Sequence, residues 1–146
     1  MEKHKKAYYY FFYKIYKSIE YTSELVGGAF WTDFKTGLAL IALELWFSCS
    51  ILNYYAIITS TRFSSTTLYS TLLIPLIFFS LINYFAFIKT DLWKEYNKEF
   101  DKLPEKENKK GTLIVSTSVI FIITNFFCSF FVLFFFYRNI FLNPEF

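Results

Sequence analysis

Histidine is almost missing from this chain, with His4 standing alone in a basic N-terminal stretch. Two-histidine zinc motifs and nucleophilic mechanisms with histidine as general base are therefore excluded. Glycine is scarce, and Gly27, Gly28, Gly37 and Gly111 form no phosphate-cradling loop. The two cysteines, Cys49 and Cys128, fall inside apolar runs and read as small buried side chains, since no loop carries a thiol for a disulfide framework. Paired carboxylates occur only between residues 91 and 107, alternating with lysines as on a solvated helix. The expectation is a protein that is not an enzyme, with no catalytic residues, cofactor or metal site. The lysines lie close to acids rather than in a basic stripe, so no nucleic-acid partner is expected either. No linker rich in Gly, Ser or Pro and no internal repeat divides residues 1–146, which read as a single membrane domain.

What the chain has in excess is apolar and aromatic surface, 55% hydrophobic and 25% aromatic residues, including 21 Phe and 12 Tyr. A small soluble core needs less. Three apolar runs, at 36–58, 67–88 and 112–137, hold 22 to 26 residues each. As helices they would reach roughly 33–39 Å, enough to cross a ~30 Å hydrocarbon core with some tilt. The fold class predicted is an all-α membrane protein with three transmembrane helices. About 35 residues precede the first run, too many for a signal peptide, so the N-terminus is expected to be retained and the first span to act as its own insertion signal.

The basic residues are unevenly divided. Lys3, Lys5, Lys6, Lys14, Lys17 and Lys35 precede the first run, and Lys89, Lys94, Lys98, Lys102, Lys106, Lys109 and Lys110 lie between the second and third. Only Arg62 and Arg138 fall on the other side. Lys and Arg near span ends are retained in the cytoplasm, so a multi-pass arrangement in a bacterial inner membrane is predicted, with a cytoplasmic N-terminus, a periplasmic 59–66 turn and a periplasmic C-terminus.

Two segments outside the spans are amphipathic. Over 7–26, Tyr9, Phe12, Tyr13, Tyr16 and Ile19 recur at helical spacing, with Lys14, Lys17, Glu20 and Glu24 on the remaining surface. This predicts an N-terminal interfacial helix lying on the cytoplasmic headgroups, or else docked on its own spans or on a partner. Gly27-Gly28 would end it, and Trp31 would mark the membrane interface. Over 89–103, Leu92, Trp93, Tyr96, Phe100 and Leu103 share one face. A cytoplasmic helix continuing the second span is predicted, its apolar side packed on the N-terminal helix or the membrane; Trp93, Tyr96 and Phe100 could alternatively bind a partner. The run EKENKKG at 105–111 reads as a solvated, mobile loop.

Polar residues inside the runs should face other helices or a cavity. Glu44 lies roughly 12 Å into the first span, too deep for easy snorkelling. Asn83 and Asn125 fall within about 10 Å of its depth, so Glu44, Ser48, Asn83, Asn125 and Ser129 are candidates for one intramembrane polar cluster. Asn53 falls on the opposite side of the first span. Thr117, Ser118, Thr124, Asn125, Cys128 and Ser129 give the third run an interhelical face. Pro75 frees the carbonyl of Thr71 and predicts a kink in the second.

The stretch YYYFFYKIYKSIEYTSEL, followed by FWTDFK and a span with an embedded Glu, resembles a group of small uncharacterised membrane proteins of the Bacteroidota. NYFAFIKTDLWKEYNKEFDKLPEKENKKGTLIV is similar as well. The resemblance implies an inner-membrane location and, by analogy, an immunity protein or accessory subunit. The functional expectation is a non-catalytic protein acting by protein-protein interaction within the lipid bilayer. The alternative is a homo-oligomeric channel or membrane-disrupting effector lined by the polar residues of its spans.

Overall fold

A computed structural model describes the backbone of residues 2–26, 31–60, 65–90 and 92–142, and contains no strand among them. Five α-helices follow in order: α1 Glu2–Val26, α2 Thr32–Thr59, α3 Ser65–Asn83, α4 Leu92–Phe100 and α5 Glu105–Leu142. Gly27-Gly28, most of the turn predicted at 59–66 and the last four residues lie outside the described residues.

Residues without a side-chain cap bound α2. Trp31 and Ser60 both take left-handed backbone conformations, φ 58° and 51°, and the Ser60 N–H returns to the carbonyls of Ala56 and Ile57. Within the helix, the hydroxyls of Thr36, Ser48, Ser50 and Thr59 each donate to the carbonyl four residues earlier. An apolar helix can carry hydroxyls at little cost when its own backbone accepts them.

Three other helices pack on α2. The pairs Tyr8–Glu44 and Ser23–Lys35 set α1 antiparallel to it. Leu43 and Val115, which line one cavity, and Asn53 bonded to Ser129 set α5 parallel. The short connection and the Glu44–Asn83 bond set α3 antiparallel. Among the described residues two helices, α2 and the Glu105–Arg138 part of α5, are long and apolar enough to cross a membrane. Among the same residues, Leu72–Phe87 and Leu92–Phe100, bent by 71° to each other, give a third candidate by length and composition when taken together.

The second run departs from the expected continuous helix. Pro75 sits inside α3, which runs on to Asn83. A π-helical turn then spans Tyr84–Ile88, closed by the Lys89 N–H donating to the Tyr84 carbonyl at 2.9 Å. The chain turns sharply there, so α4 is a separate helix rather than a continuation to residue 103. The 105–111 stretch is also corrected: it is the first two turns of α5. Pro104 starts that helix instead of ending one, its carbonyl accepting from the Asn108 N–H at 3.0 Å. Glu105 and Glu107 sit at the positive end of the helix, and Glu105 pairs with Lys109 at 2.7 Å.

The core lies where α1 and α4 cover the N-terminal end of α2, the π turn and the start of α5. Phe12, 1% exposed, stacks on Phe87 with ring centroids 4.0 Å apart and meets the edge of Trp93 at 5.5 Å. Tyr9 stacks on Tyr96 at 4.7 Å, and Tyr10 meets Phe100 edge-on at 4.9 Å. Tyr10 lies so close to α5 that a Cβ on Gly111 would displace its ring from this position.

Candidate functional site

The polar residues of the spans do not form one cluster; the structure sorts them into two. In the first, the Tyr8 hydroxyl donates to Glu44 Oε1 at 2.8 Å, and Asn83 Nδ2 donates to Glu44 Oε2 at 2.8 Å and to the Phe79 carbonyl at 2.9 Å. Asn83 Oδ1 faces the Tyr8 hydroxyl at 3.4 Å. Each carboxylate oxygen thus has a donor from a different helix, which suits a charge or dipole withdrawn from water. Ser48 is not part of the group, because its hydroxyl is spent on the Glu44 backbone carbonyl at 2.9 Å. Burial holds the Tyr8 hydroxyl far above its ordinary pKa, and the Glu44 carboxylate pushes it the same way. Tyr8 is therefore a donor that keeps its proton.

The second group lies deeper and joins α2 to α5. Asn53 Nδ2 donates to Ser129 Oγ at 3.0 Å, and Ser129 Oγ in turn donates to the Phe126 carbonyl at 2.8 Å. The Tyr54 hydroxyl donates to Asn125 Oδ1 at 3.0 Å, and Trp46 stacks on Phe126 at 5.4 Å. Asn125 and Ser129 are thus separated from Glu44 by the rotation of α2, whose Asn53 and Tyr54 face α5 while Glu44 faces α1 and α3. Asn53 does fall on the side away from Glu44 that helical geometry predicts. Sequence reasoning missed Tyr8, Tyr54 and Asn53 as partners. No pattern in the sequence pairs Tyr8 with Glu44, because the two lie 36 residues apart on different helices.

A third polar layer clamps α1 over the others. The Tyr13 hydroxyl donates to Asp101 Oδ1 at 2.8 Å, Lys17 lies 3.5 Å from the same oxygen, and Lys6 pairs with Glu99. Lys14 donates to the Asn108 carbonyl at 3.1 Å and to Thr112 Oγ1 at 3.0 Å, with its ammonium against the rings of Tyr10 and Tyr13. Burial raises the Tyr13 hydroxyl above its ordinary pKa, and Asp101 adds to the effect. Burial lowers the Lys14 ammonium. For Lys17 burial works in the lowering direction, but Glu20 and Asp101 outweigh it and the pKa rises.

This layer decides what covers the two amphipathic segments. Tyr9, Phe12 and Tyr13 are buried against the chain itself, with Tyr16 half-buried beside Trp93, so this face does not lie on headgroups. Trp93 and Phe100, 7% and 2% exposed, are equally committed and are not offered to a partner; Tyr96 is half-buried between Tyr9 and Phe100. Of the residues expected at an interface, Trp31 is the exposed one, packed edge-on to Phe34. Among the described residues no group of three or more His, Cys, Asp or Glu could hold a metal ion. No protein-family model, curated protein or solved structure matches the chain.

Proposed function

We propose that the chain is a non-catalytic three-span protein of a bacterial inner membrane that acts by binding another membrane protein, as accessory and immunity subunits do. In this reading α3 is the second span, α1 and α4 form a cytoplasmic cap, and the C-terminus is periplasmic, the arrangement that the lysine distribution favours. The resemblance to small Bacteroidota membrane proteins agrees with it.

The observation that carries the reading is the double occupation of the Glu44 carboxylate by Tyr8 and Asn83. A pore lining presents polar groups to water, whereas here Glu44, Asn53, Asn83, Asn125 and Ser129 are joined to one another or to tyrosines between helices. Those bonds fix packing, and the outward surface is mainly apolar: Ile74, Ile77 and Phe78 on α3 and Phe127, Phe131 and Phe134 on α5 are exposed, with Thr117, Thr124 and Cys128 among them. Since the aromatic faces of the cap are occupied, contact with a partner falls to that intramembrane surface.

The test is the mass of the full chain in nanodiscs, expressed alone and with its genomic neighbours. The expected result is a monomer alone and a defined complex with one neighbour. A symmetric oligomer formed alone, with a conductance that Glu44→Gln alters, would overturn the reading in favour of a channel.

A further inference from the structure

Between α1, the start of α2, the π turn and α4 lies a cavity of about 410 Å³, within the ~300–1,000 Å³ range of small-ligand sites. Its inner wall is aromatic, made by Phe12, Phe87 and Trp93. Its mouth opens sideways past Phe34, Leu38 and Tyr84, all exposed apolar residues. On the reading that α2 enters the membrane within its first turns, this mouth faces lipid rather than bulk water. Gly37 lies on its floor, and a Cβ there would meet nothing within 4 Å, so the floor has room for a chain. Two charged residues of opposite sign line it: Asp33 in the first turn of α2, and Lys94 on α4, whose ammonium lies 5.7 Å from the Trp93 ring centroid.

We propose that this groove binds one zwitterionic phospholipid with a primary ammonium in its headgroup, of the phosphoethanolamine type. Lys94 meets the phosphate, Asp33 accepts from the ammonium, and one acyl chain runs over Gly37 toward Ile41. Ile41 lies two turns beyond Asp33, roughly 12 Å along the helix axis, a depth that fits an acyl chain descending from a headgroup. The pairing of signs selects the headgroup. Phosphatidylglycerol carries the phosphate for Lys94 but no cation for Asp33, and a quaternary ammonium has no N–H to donate to it. The proposal rests on the reading that the start of α2 meets the cytoplasmic headgroups.

The experiment is native mass spectrometry of the full chain released from nanodiscs holding equal amounts of phosphatidylethanolamine, phosphatidylcholine and phosphatidylglycerol. One phosphatidylethanolamine should be retained in preference to the others. Asp33→Asn should reduce that preference about fivefold, the scale of one charge at a membrane surface. Gly37→Leu should fill the floor and abolish retention of all three lipids, whereas Phe131→Ala, remote from the groove, should leave it unchanged. Equal retention of the three lipids, preference for phosphatidylglycerol, or undiminished retention in Gly37→Leu would each overturn the proposal. Thiol labelling of Lys35→Cys and Ser60→Cys from either side separates this failure from failure of the topology: both reached from one side means that α2 does not cross, while opposite sides without lipid preference rejects the lipid site alone.

Discussion

Glu44 keeps its carboxyl group inside an apolar helix because donors reach it from α1 and α3. Its replacement by glutamine preserves the pattern: the new amide can donate to the Tyr8 hydroxyl, which accepts as readily as it donates, while the remaining oxygen accepts from Asn83. Glu44→Ala removes both acceptors and should cost about 1–3 kcal/mol for each donor left unpaired. The expected order of stability in reversible unfolding from detergent is wild type and Glu44→Gln close together, with Glu44→Ala well below. If glutamine proves as damaging as alanine, ionisation rather than hydrogen bonding holds the site. The pairing of Glu44 with Asn83 was legible from sequence, because each lies about 15 residues from the short connection between two antiparallel helices and so at a similar height along them. The exclusion of Asn125 was not, because depth says nothing of which side of α2 the third helix occupies.

The α1–α4 contact is an aromatic interface between two short amphipathic surfaces. Trp93 is its centre, touching Phe12 and Tyr16. Trp93→Ala should destabilise the cap by about 3–5 kcal/mol, the usual cost of truncating a buried large aromatic residue. Amide exchange over residues 8–16 should then quicken while α2 and the apolar part of α5 stay protected, because the α2–α5 bonds do not involve the cap. Unchanged exchange in α1 would mean that α4 does not hold it. Helical spacing located both apolar faces correctly but could not say that they cover each other, since lipid, a partner and a second helix satisfy the same periodicity. The π turn that makes the contact possible has no sequence signature in YFAFI; it is set by packing.

At the scale of the whole molecule, the cap is fastened to the bundle by hydroxyls and ammonium groups that titrate in alkali. The fold raises Tyr8 and Tyr13 above 10.0, by burial first and then by the carboxylates of Glu44 and Asp101. For a group whose folded pKa is raised, the stabilisation is complete below the unfolded value and is lost as pH climbs through the folded one. Lys17 acts with the same sign, and Lys14, lowered by burial, offsets part of it. The cap should therefore loosen above about pH 10, seen as a red shift of Trp93 emission in a Trp31→Phe, Trp46→Phe background with no loss of helix from the spans. Tyr13→Phe should reduce the shift. Emission constant from pH 8 to about 12 would show that these hydroxyls do not fasten the cap.

The amino-acid order by itself determined the helical character, the apolar runs, the amphipathic faces of 7–26 and 89–103 and the shared depth of Glu44 and Asn83, because each follows from spacing along one chain. Only the tertiary structure decided that α1 packs on the rest of the chain, that α5 begins at Glu105, that Asn53 and Tyr54, not Glu44, meet Asn125 and Ser129 of α5, and that Thr117, Thr124 and Cys128 of the expected interhelical face are exposed. These depend on the rotation of each helix about its axis and on which neighbour it meets. Both are fixed by packing between segments distant in sequence, such as Tyr10 against Gly111 and Phe12 against Phe87.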